Sequence, residues 1–567
     1  MKKLKLLICS SLLVLSFSLS FGQNWAWGGA GYGSIKANDF GSPVATDKHG
    51  NVYATGSFYN MITFGADTLK DTLDAAYFVK YNSAGSLVWA IHPVDSTYSH
   101  CFGASVATDK SGNVYIAGTF FGTVHFGAFT LRTLQYGPSN GDAFIAKYDS
   151  NGTALWAKEG ITLTNSCYAN AYSMALDDSG NPFVAGLFND TVSFGAYTLK
   201  AKHTYKDYFI VKYDANGNVL WAQQSDHSTS TNGYTNNALG IATDHSGNAY
   251  LTGSFIGIIM FNTDTLINDS TSFYGSLLVK YSPAGNVLWA KQSVGASKKD
   301  EVEAMSVTTD ITGNSYITGW FNDTVKFGTV TKYSTTRYNT FLAKYDANGN
   351  ALWVNAATPG WSGTSVASDA INHIYLAGFN TVPGFPSIAF NNDTLSSNPL
   401  NSFAIFIMKF DTSGKPLCGS LLNGIDNVTC IAVDSSGKYA YAGSKFFNDS
   451  VFCGADTLIA NSGGTDVFTG RWTPCIENTD GNNELRAKSE ELRVYPNPFN
   501  NSTTLLVNST GQHYLELDDV TGRKLKQVEF TGNTYTLSAE GLAKGMYFIR
   551  VFNGENNLIG TTKIVVQ

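Results

Sequence analysis

The sequence is poor in charge, and its few charges are not concentrated anywhere. Only 14% of the 567 residues are charged, the net charge is −7, and no lysine or arginine cluster follows the first five residues. Nucleic-acid binding depends on a concentrated basic surface. We therefore expect no nucleic-acid partner.

Long apolar runs are also missing, except for one at the N-terminus. A lysine-rich start precedes an apolar stretch from Leu6 to Leu19, and Ser20-Phe21-Gly22 follow it. This is the pattern of a secretory signal peptide, and the stretch is too short to span a membrane. We predict a signal peptide over residues 1–22, cleaved between Gly22 and Gln23, and no transmembrane segment.

Motifs of catalysis and metal binding are missing from the sequence as well. It has no nucleophile elbow, Walker loop, His-Glu-x-x-His or dinucleotide-binding glycine pattern, and its nine histidines are scattered. The Asp-x-Asn-Gly-Asn strings place glycine at the fourth position, whereas an EF-hand loop requires it at the sixth. We expect no metal ion, no cofactor and no catalytic residue, although an enzymatic activity stays uncertain.

Cysteine is scarce, and four of the seven lie near each other in the chain. Cys9 falls in the predicted signal peptide, which leaves six in the mature protein. An even number in an oxidising compartment permits disulfides. Either Cys418 pairs with Cys430 and Cys453 with Cys475, or these residues are free buried thiols.

The sequence is rich in glycine and in strand-forming residues, and it repeats. There are 56 glycines and 30 tyrosines, and valine, threonine, tyrosine and phenylalanine recur between Gly/Asn/Asp turns, which predicts an all-β protein. SVATDKSGNVYIAGTF at residues 105–120 returns as GIATDHSGNAYLTGSF at 240–255 and SVTTDITGNSYITGWF at 306–321. The anchoring aspartate marks seven repeats at Asp47, Asp109, Asp177, Asp244, Asp310, Asp369 and Asp434.

A second sequence module follows the first in the repeats, and each module is expected to form a two-stranded hairpin. We therefore predict four strands per repeat. DAFIAKYDSNGTALWA at residues 142–157 is typical of this module, and the Asp-x-x-Gly-Asn turns favour hairpins. Four strands per repeat predict one propeller blade. The seventh repeat lacks its last strand, and Trp25-Ala26-Trp27 lacks a partner, so we expect this segment to pair with Asp466 to Trp472 and to close the ring.

These strings resemble the bacterial β-propeller repeat family (SBBP-like repeats) over roughly residues 24 to 472. The resemblance implies a structural repeat and carries neither an activity nor catalytic residues. The predicted organisation is a seven-bladed β-propeller over residues 23–472, a polar linker over 473–491 and a small Ig-like β-sandwich over 492–567.

Loops on a rigid scaffold are frequent ligand sites, and aromatic rings suit stacking on sugars. The long connections between strands should share one face of the propeller. We expect ligand contacts, or ordinary loop packing, from His100 and from Tyr98, Tyr136, Tyr168, Tyr234, Tyr274 and Trp361. The tryptophans that end the second modules, at positions 89, 156, 221, 289 and 353, should instead pack within or between blades.

Asp-Thr/Ser followed by an aliphatic residue recurs along the repeats, for example at Asp190-Thr191-Val192 and Asp264-Thr265-Leu266. The string is similar to an O-glycosylation signal of Bacteroidetes. It is equally compatible with a turn encoded by the repeat.

The end of the chain carries four ordered elements: Tyr-Pro-Asn-Pro, Asp-x-x-Gly-Arg, Leu-x-x-Gly-x-Tyr and a terminal Lys-Ile-Val-Val. Together they are similar to the type A sorting domain of the Bacteroidetes type IX secretion system. The matching residues are Tyr495, Pro496, Asn497, Pro498, Gly522, Gly545, Tyr547 and Lys563. The resemblance implies that the type IX machinery is a partner and that the protein reaches the outer cell surface or the medium.

The predicted function is a non-enzymatic binding module for a glycan, a polymer or a surface protein. Two alternatives stay open. Propellers can arrange carboxylates around a central channel at glycosidase spacing, so a secreted polysaccharide-degrading enzyme is one. A surface adhesion protein is the other.

Overall fold

The computed structural model describes most of the chain, and every regular element in it is a β-strand. The all-β prediction is therefore confirmed over the described residues. No helix among them is long and apolar enough to cross a membrane. Contacts divide the chain into two compact units, Met1–Cys475 and Ile476–Gln567. The described residues are 25–35, 43–95, 99–134, 141–164, 167–202, 206–227, 235–268, 273–297, 299–334, 338–358, 361–380, 387–390, 393–396, 404–423, 425–434, 436–447, 450–453, 456–459, 465–475, 492–495, 497, 499–507, 511–519, 523–554 and 558–566.

The repeats build antiparallel sheets in which the first, second, third and fourth strands lie side by side in chain order. First strands are Val44–Thr46, His100–Thr108, Ala169–Leu176, Thr235–Thr243, Val302–Thr309, Trp361–Ser368 and Ile425–Val433. Second strands are Val52–Phe64, Val114–Phe121, Pro182–Phe188, Ala249–Phe255, Ser315–Phe321, Ile374–Asn380 and Ala440–Phe447. Third strands are Asp67–Tyr81, Asp142–Tyr148, Asp207–Tyr213, Gly275–Tyr281, Asn339–Tyr345, Ala404–Phe410 and Thr465–Trp472. Fourth strands are Leu87–Ile91, Ala154–Thr162, Val219–Gln224, Val287–Gly295, Ala351–Thr358 and Pro416–Asn423.

A third hairpin, which the four-strand prediction omits, lies between the second and third strands of each repeat. In repeat one it is formed by the outer ends of Val52–Phe64 and Asp67–Tyr81. The Asp-Thr-aliphatic strings lie on these hairpins, and glycine at a positive φ, such as Gly195 at 57°, makes the turn. Several of these hairpins pair with the strand that ends the preceding repeat, as Thr191–Phe194 does with Ala154–Thr162. The other hairpins are Thr123–Phe126/Phe129–Arg132, Thr191–Phe194/Tyr197–Lys200, Gly257–Phe261/Asp264–Asn268, Thr324–Phe327/Val330–Tyr333, Ser387–Phe390/Asp393–Ser396 and Ser450–Cys453/Asp456–Ile459, and two short strands, Val94–Asp95 and Asp226–His227, pair with them.

The anchoring aspartate closes the turn between the first and second strands. Asp109 Oδ1 accepts bonds from the backbone N–H groups of Ser111 and Asn113, both at 2.9 Å, and Oδ2 accepts one from the Asn113 amide at 2.7 Å. Gly112 takes φ 84°, which a residue with a Cβ rarely adopts. The repeated sequence is therefore explained by turn chemistry.

Side-chain hydroxyls join the first strands of neighbouring repeats. In five of the seven repeats the residue before the turn aspartate carries a hydroxyl, which donates to the backbone carbonyl of the equivalent residue in the adjacent repeat. We call this set the hydroxyl ladder. It consists of Thr108 to Thr46 (2.6 Å), Thr46 to Val433 (3.3 Å), Thr243 to Leu176 (2.7 Å), Thr309 to Thr243 (2.8 Å) and Ser368 to Thr309 (2.8 Å).

The ladder predicts two opposite changes in stability. Thr309→Val leaves the Thr243 carbonyl without its donor and should lower the free energy of unfolding by about 1 kcal/mol. Val433 occupies a ladder position without a hydroxyl, so Val433→Thr should let repeat seven donate to Ser368 and raise stability by up to about 1 kcal/mol. Urea unfolding of both variants checks this, and equal midpoints for the two would contradict it.

The tryptophans of the fourth strands contact the next repeat, as expected. Each indole N–H donates to a carbonyl in a turn of that repeat: Trp89 to Ser150 (3.3 Å), Trp156 to Ala215 (3.1 Å), Trp221 to Pro283 (3.0 Å), Trp289 to Ala347 (3.0 Å) and Trp353 to Thr412 (3.3 Å). The glycine of the same turn lies under the ring, as Gly285 does under Trp221. These residues are contacts between repeats.

The N-terminal strand Trp25–Ile35 pairs with Thr465–Trp472, so the predicted partner strands do lie together. Its other end pairs with Val52–Phe64 of repeat one. Arg471 takes the place of the third-strand lysines, and its guanidinium donates to the Ser83 carbonyl at 2.6 Å, as Lys147 does to Ala215 at 3.3 Å. Repeats one and seven thus share the contacts that join other neighbours.

The disulfide prediction is wrong, because Cys418 pairs with Cys475. Cys418 lies in a fourth strand, and the chain returns beside it after Trp472. Cys430 belongs to the next sheet and is a free cysteine, with Sγ 3.7 Å from the Val44 carbonyl. Proximity in sequence between Cys418 and Cys430 therefore misled the prediction. The side chain of Cys453 lies outside the described residues.

The second unit contains two antiparallel sheets. One has the order Leu492–Tyr495, Ser502–Val507, Thr534–Ser538, and the other the order Lys524–Thr531, Gln512–Asp519, Gly545–Asn553, Leu558–Val566. Leu505 and Leu537 of the first sheet share one core with Leu515, Ile549 and Ile564 of the second. This unit therefore has its own hydrophobic core.

Candidate functional site

The first strands of repeats three to seven converge on one cavity of about 470 Å³. We call it the central cavity. Its wall is formed by the ends of these strands and the turns that follow, including the ladder residues Leu176, Thr243, Thr309, Ser368 and Val433. Residues far apart in the chain are thus brought to one place.

Small side chains allow the strands to approach there. The position two residues before the turn aspartate is alanine in every repeat except the fifth, where it is Thr308. These residues are half-buried, and Ala175, Ala242, Thr308 and Ala367 line the cavity. The Thr308 hydroxyl lies 2.9 Å from that of Ser368. The cavity wall therefore combines methyl groups with hydroxyl and other polar groups, and its polar part is the larger.

The turn aspartates in the cavity wall accept hydrogen bonds from their own turns. Asp310 accepts bonds from the backbone of Thr312 and Asn314, from the Asn314 amide and from the Tyr316 hydroxyl. Burial raises the pKa of Asp310, but the bonds from Thr312 and Asn314 outweigh it and hold the pKa below its usual value. Asp369 is held in the same way by His373 and Tyr375. Such ionised, fully bonded carboxylates are poor proton donors.

Charged and apolar side chains both line the accessible part of the cavity. Asp178 Oδ2 lies 2.7 Å from His245 Nδ1, and Asp178 Oδ1 lies 3.3 Å from Lys110 Nζ. The bond from His245 is the main cause of the lowered pKa of Asp178. Ile311, which also lines the cavity, is 51% exposed. The cavity therefore suits a ligand with both polar and apolar parts.

The predicted aromatic contacts do not form one site among the described residues. Trp361 is 1% exposed and packs edge-on against Phe406 with ring centroids 5.7 Å apart, so it is a core residue and not a ligand contact. Tyr168 and Tyr274 are half-buried; the Tyr168 ring lies under Lys206, with Nζ 5.6 Å from the centroid, and the Tyr274 N–H donates to Glu301 at 3.3 Å. Tyr98, Tyr136 and Tyr234 lie outside the described residues. His100 bonds to Asp74 at 3.1 Å and stacks on Phe102.

Among the described residues, no group of three His, Cys, Asp or Glu side chains could hold a metal ion. Sequence reasoning missed the central cavity. The usable signal was the run of alanines two residues before the turn aspartates, because such small residues are needed where several strands meet.

Asp142 is the buried acid with the strongest expected pH effect. Burial raises its pKa to about 7, against bonds from Thr162 that lower it. A pKa above the unfolded value of about 3.9 means that the stability contributed at low pH is lost as pH rises from about 4 through 7. Asn339 occupies the equivalent position in repeat five, so an amide fits there.

We therefore expect Asp142→Asn to raise the free energy of unfolding by about 1–2 kcal/mol at pH 8 and to have little effect at pH 4. Thermal unfolding across this range checks the prediction. A stabilisation that does not depend on pH would contradict it.

In the second unit, the described sorting-motif residues make structural contacts. Asn497 accepts a bond from the Val565 N–H at 2.8 Å, and the Tyr547 hydroxyl donates to the Ala543 carbonyl at 2.7 Å. Gly545 and Lys563 lie on paired strands. Tyr495 ends a strand, whereas Pro496, Pro498 and Gly522 lie outside the described residues, as do Gly22 and Gln23.

Comparisons with known proteins give a family match for the C-terminal residues. Residues 493–567 match the family of secretion system C-terminal sorting domains, which confirms the predicted type IX sorting domain. Such a tail indicates export to the cell surface or the medium. An uncharacterised WD repeat-containing protein of Acanthamoeba polyphaga mimivirus is 25% identical over 432 residues, covering 61% of this chain and 30% of its own length.

Solved structures give weaker likenesses. Hydrazine synthase of Kuenenia stuttgartiensis has a TM-score of 0.39 and 8% identity, covering 75% of this chain and 97% of its own. The Dos1 propeller has a TM-score of 0.34 and 9% identity, covering 79% and 98%. Scores this low support no argument about function.

Proposed function

We propose that the protein is an exported binding module that captures an extracellular glycan polymer at its central cavity. Residues 23–472 form a closed seven-bladed propeller, and the N-terminal strand completes the last blade. A signal peptide directs the chain to the periplasm, and the C-terminal sorting domain, an Ig-like sandwich, carries it to the cell surface or the medium.

Contacts between repeats support the closed ring. The hydroxyl ladder runs from repeat two through repeat one to repeat seven between the same positions as elsewhere, since Thr108 donates to Thr46 at 2.6 Å and Thr46 to Val433 at 3.3 Å. Arg471 reaches Ser83 as the lysines reach their neighbours. A closed ring also protects the terminal sheet edges, which otherwise favour aggregation.

The observation that carries the binding function is the convergence of five repeats on the central cavity. Convergence of several elements on a concave surface is typical of ligand sites. The turn aspartates there are held by their own turns, and Asp178 is paired with His245. The cavity therefore offers a ligand hydroxyl groups, methyl groups and the His245–Asp178 pair.

Gel electrophoresis through soluble laminarin, xylan, mannan and pectin tests this proposal with the full chain. We expect at least one polysaccharide to retard the protein, and His245→Ala with Ile311→Asp to weaken retardation. A matched double variant on two exposed residues of repeat two that do not line the cavity, Lys158→Ala with Leu155→Asp, should migrate like the parent.

Assays for released reducing ends and unsaturated products separate binding from catalysis. We expect neither product. Their formation would favour the polysaccharide-degrading enzyme, and retardation by none of the polysaccharides would contradict the proposal.

A further inference from the structure

A second concave site lies at the junction of repeats three and four. It shares no lining residue with the central cavity. This groove has a volume of about 520 Å³. Its sides come from the fourth strand of repeat three, the third hairpin of repeat four and the second turn of repeat four. We call it the amide groove, after Gln223, Asn262 and Asn286, which line it.

The side-chain amide of Asn286 lacks the aspartate acceptor that the equivalent turns of other repeats provide. In repeats three and five, the equivalent Asn218 and Asn350 donate their side-chain N–H to Asp214 and Asp346 at 2.8 and 2.9 Å. Repeat four has Ser282 at the aspartate position, and Ser282 Oγ accepts only the Asn286 backbone N–H, at 3.1 Å. Among the described residues nothing bonds to the Asn286 side chain, which is exposed.

Asn262 also departs from the repeat. Among the described turns, four other repeats place glycine at this position, with φ between 54° and 58°, and Asn262 keeps the same left-handed conformation at φ 56°. Asparagine tolerates this conformation better than most side chains. The turn is therefore preserved while an exposed amide is added to the groove.

The charges in the groove cancel each other. Lys202 pairs with Asp226, and Gln224 is bonded in both directions to the Lys200 backbone. Gln223, by contrast, is exposed, and no described residue bonds to its amide. The groove thus offers free amides, each with a donor and an acceptor, and little net charge to attract an ion.

We infer that the amide groove binds a neutral oligosaccharide. Adjacent hydroxyl groups of a sugar both donate and accept hydrogen bonds, which matches the pairs of donor and acceptor on Gln223, Asn262 and Asn286. An anionic ligand would lack a free cation there. The inference rests on the proposed binding function and adds a second site to it.

The test uses the full chain and calorimetric titration with cellohexaose, xylohexaose and mannohexaose, with a heparin hexasaccharide as the anionic probe. We expect at least one neutral oligosaccharide to bind. Asn286→Ala and Gln223→Ala should each weaken that binding about three- to tenfold, the loss of one or two neutral hydrogen bonds. Asn350→Ala and Lys291→Ala, at the equivalent positions one repeat later, should leave it unchanged.

A gain-of-contact variant makes the test sharper. Ser282→Asp restores the aspartate of the other repeats and should recapture the Asn286 amide, which lowers affinity about threefold without lowering the melting temperature. Binding that survives Asn286→Ala, Gln223→Ala and Ser282→Asp would overturn the inference. Binding of the heparin fragment alone would also overturn it.

The two proposals fail differently. If the neutral oligosaccharide still binds in the groove variants but is lost with His245→Ala and Ile311→Asp, the amide groove inference fails and the central cavity stands. If no probe or polysaccharide binds at all, the proposed binding function itself fails.

Discussion

Deleting residues 492–567 is expected to stop secretion almost completely while the remaining protein folds in the periplasm. The deleted segment belongs to the second unit, which has its own core, and residues 493–567 match secretion sorting domains. The first unit keeps its strands and its Cys418–Cys475 disulfide, because both lie before the deletion. Immunoblots of medium, surface and periplasmic fractions measure the result.

A point variant separates loss of the sorting signal from shortening of the chain. Leu515 is fully buried in the core of the second unit, so Leu515→Asp should unfold this unit and block export as the deletion does. Lys544→Ala, a surface change in the same unit, should be exported normally. Export of the deletion variant at the parental level would show that residues 492–567 are not the sorting signal.

Trp27→Ala is expected to lower the free energy of unfolding of the first unit by about 3–5 kcal/mol, the usual cost of removing a buried tryptophan. Trp27 is 5% exposed, and its ring lies 5.9 Å from Tyr81 of repeat one and 6.2 Å from Tyr441 of repeat seven. It also covers Gly85 in the second turn of repeat one. It therefore joins the two ends of the repeat array.

Trp221 provides the matched control. It is 8% exposed and covers Gly285 of the next repeat in the same manner, entirely within the array. A closed ring makes the costs of Trp27→Ala and Trp221→Ala similar in urea unfolding. A cost below about 1 kcal/mol for Trp27→Ala, beside a full cost for Trp221→Ala, would mean that the ends of the array are not joined.

Local patterns made much of this architecture predictable. The Asp-x-x-Gly-Asn turn needs only neighbouring residues, and it recurs at Asp109 and its equivalents as the sequence indicates. The unpaired Trp25 segment and the incomplete seventh repeat together predicted a pairing of strands about 440 residues apart, which the register of Trp25 with Trp472 bears out.

Features that depend on distant contacts were not predictable in this way. The third hairpin was hidden in a three-residue string that also fits a glycosylation signal. Trp361 looked like a loop aromatic, but pairing with Ile374–Asn380 places it inside the core. Cys418 and Cys475 meet because the chain returns after Trp472, which no spacing reveals. The central cavity and the amide groove are assembled from several repeats, so only the structure brings their residues together.

Hydrogen exchange of the strand Trp25–Ile35 in the secreted protein tests the closed ring most directly. If this strand completes the last blade, its amides should exchange as slowly as those of a central strand such as Asp142–Tyr148, since both open only with the whole unit. Exchange as fast as that of an unstructured peptide would contradict the account.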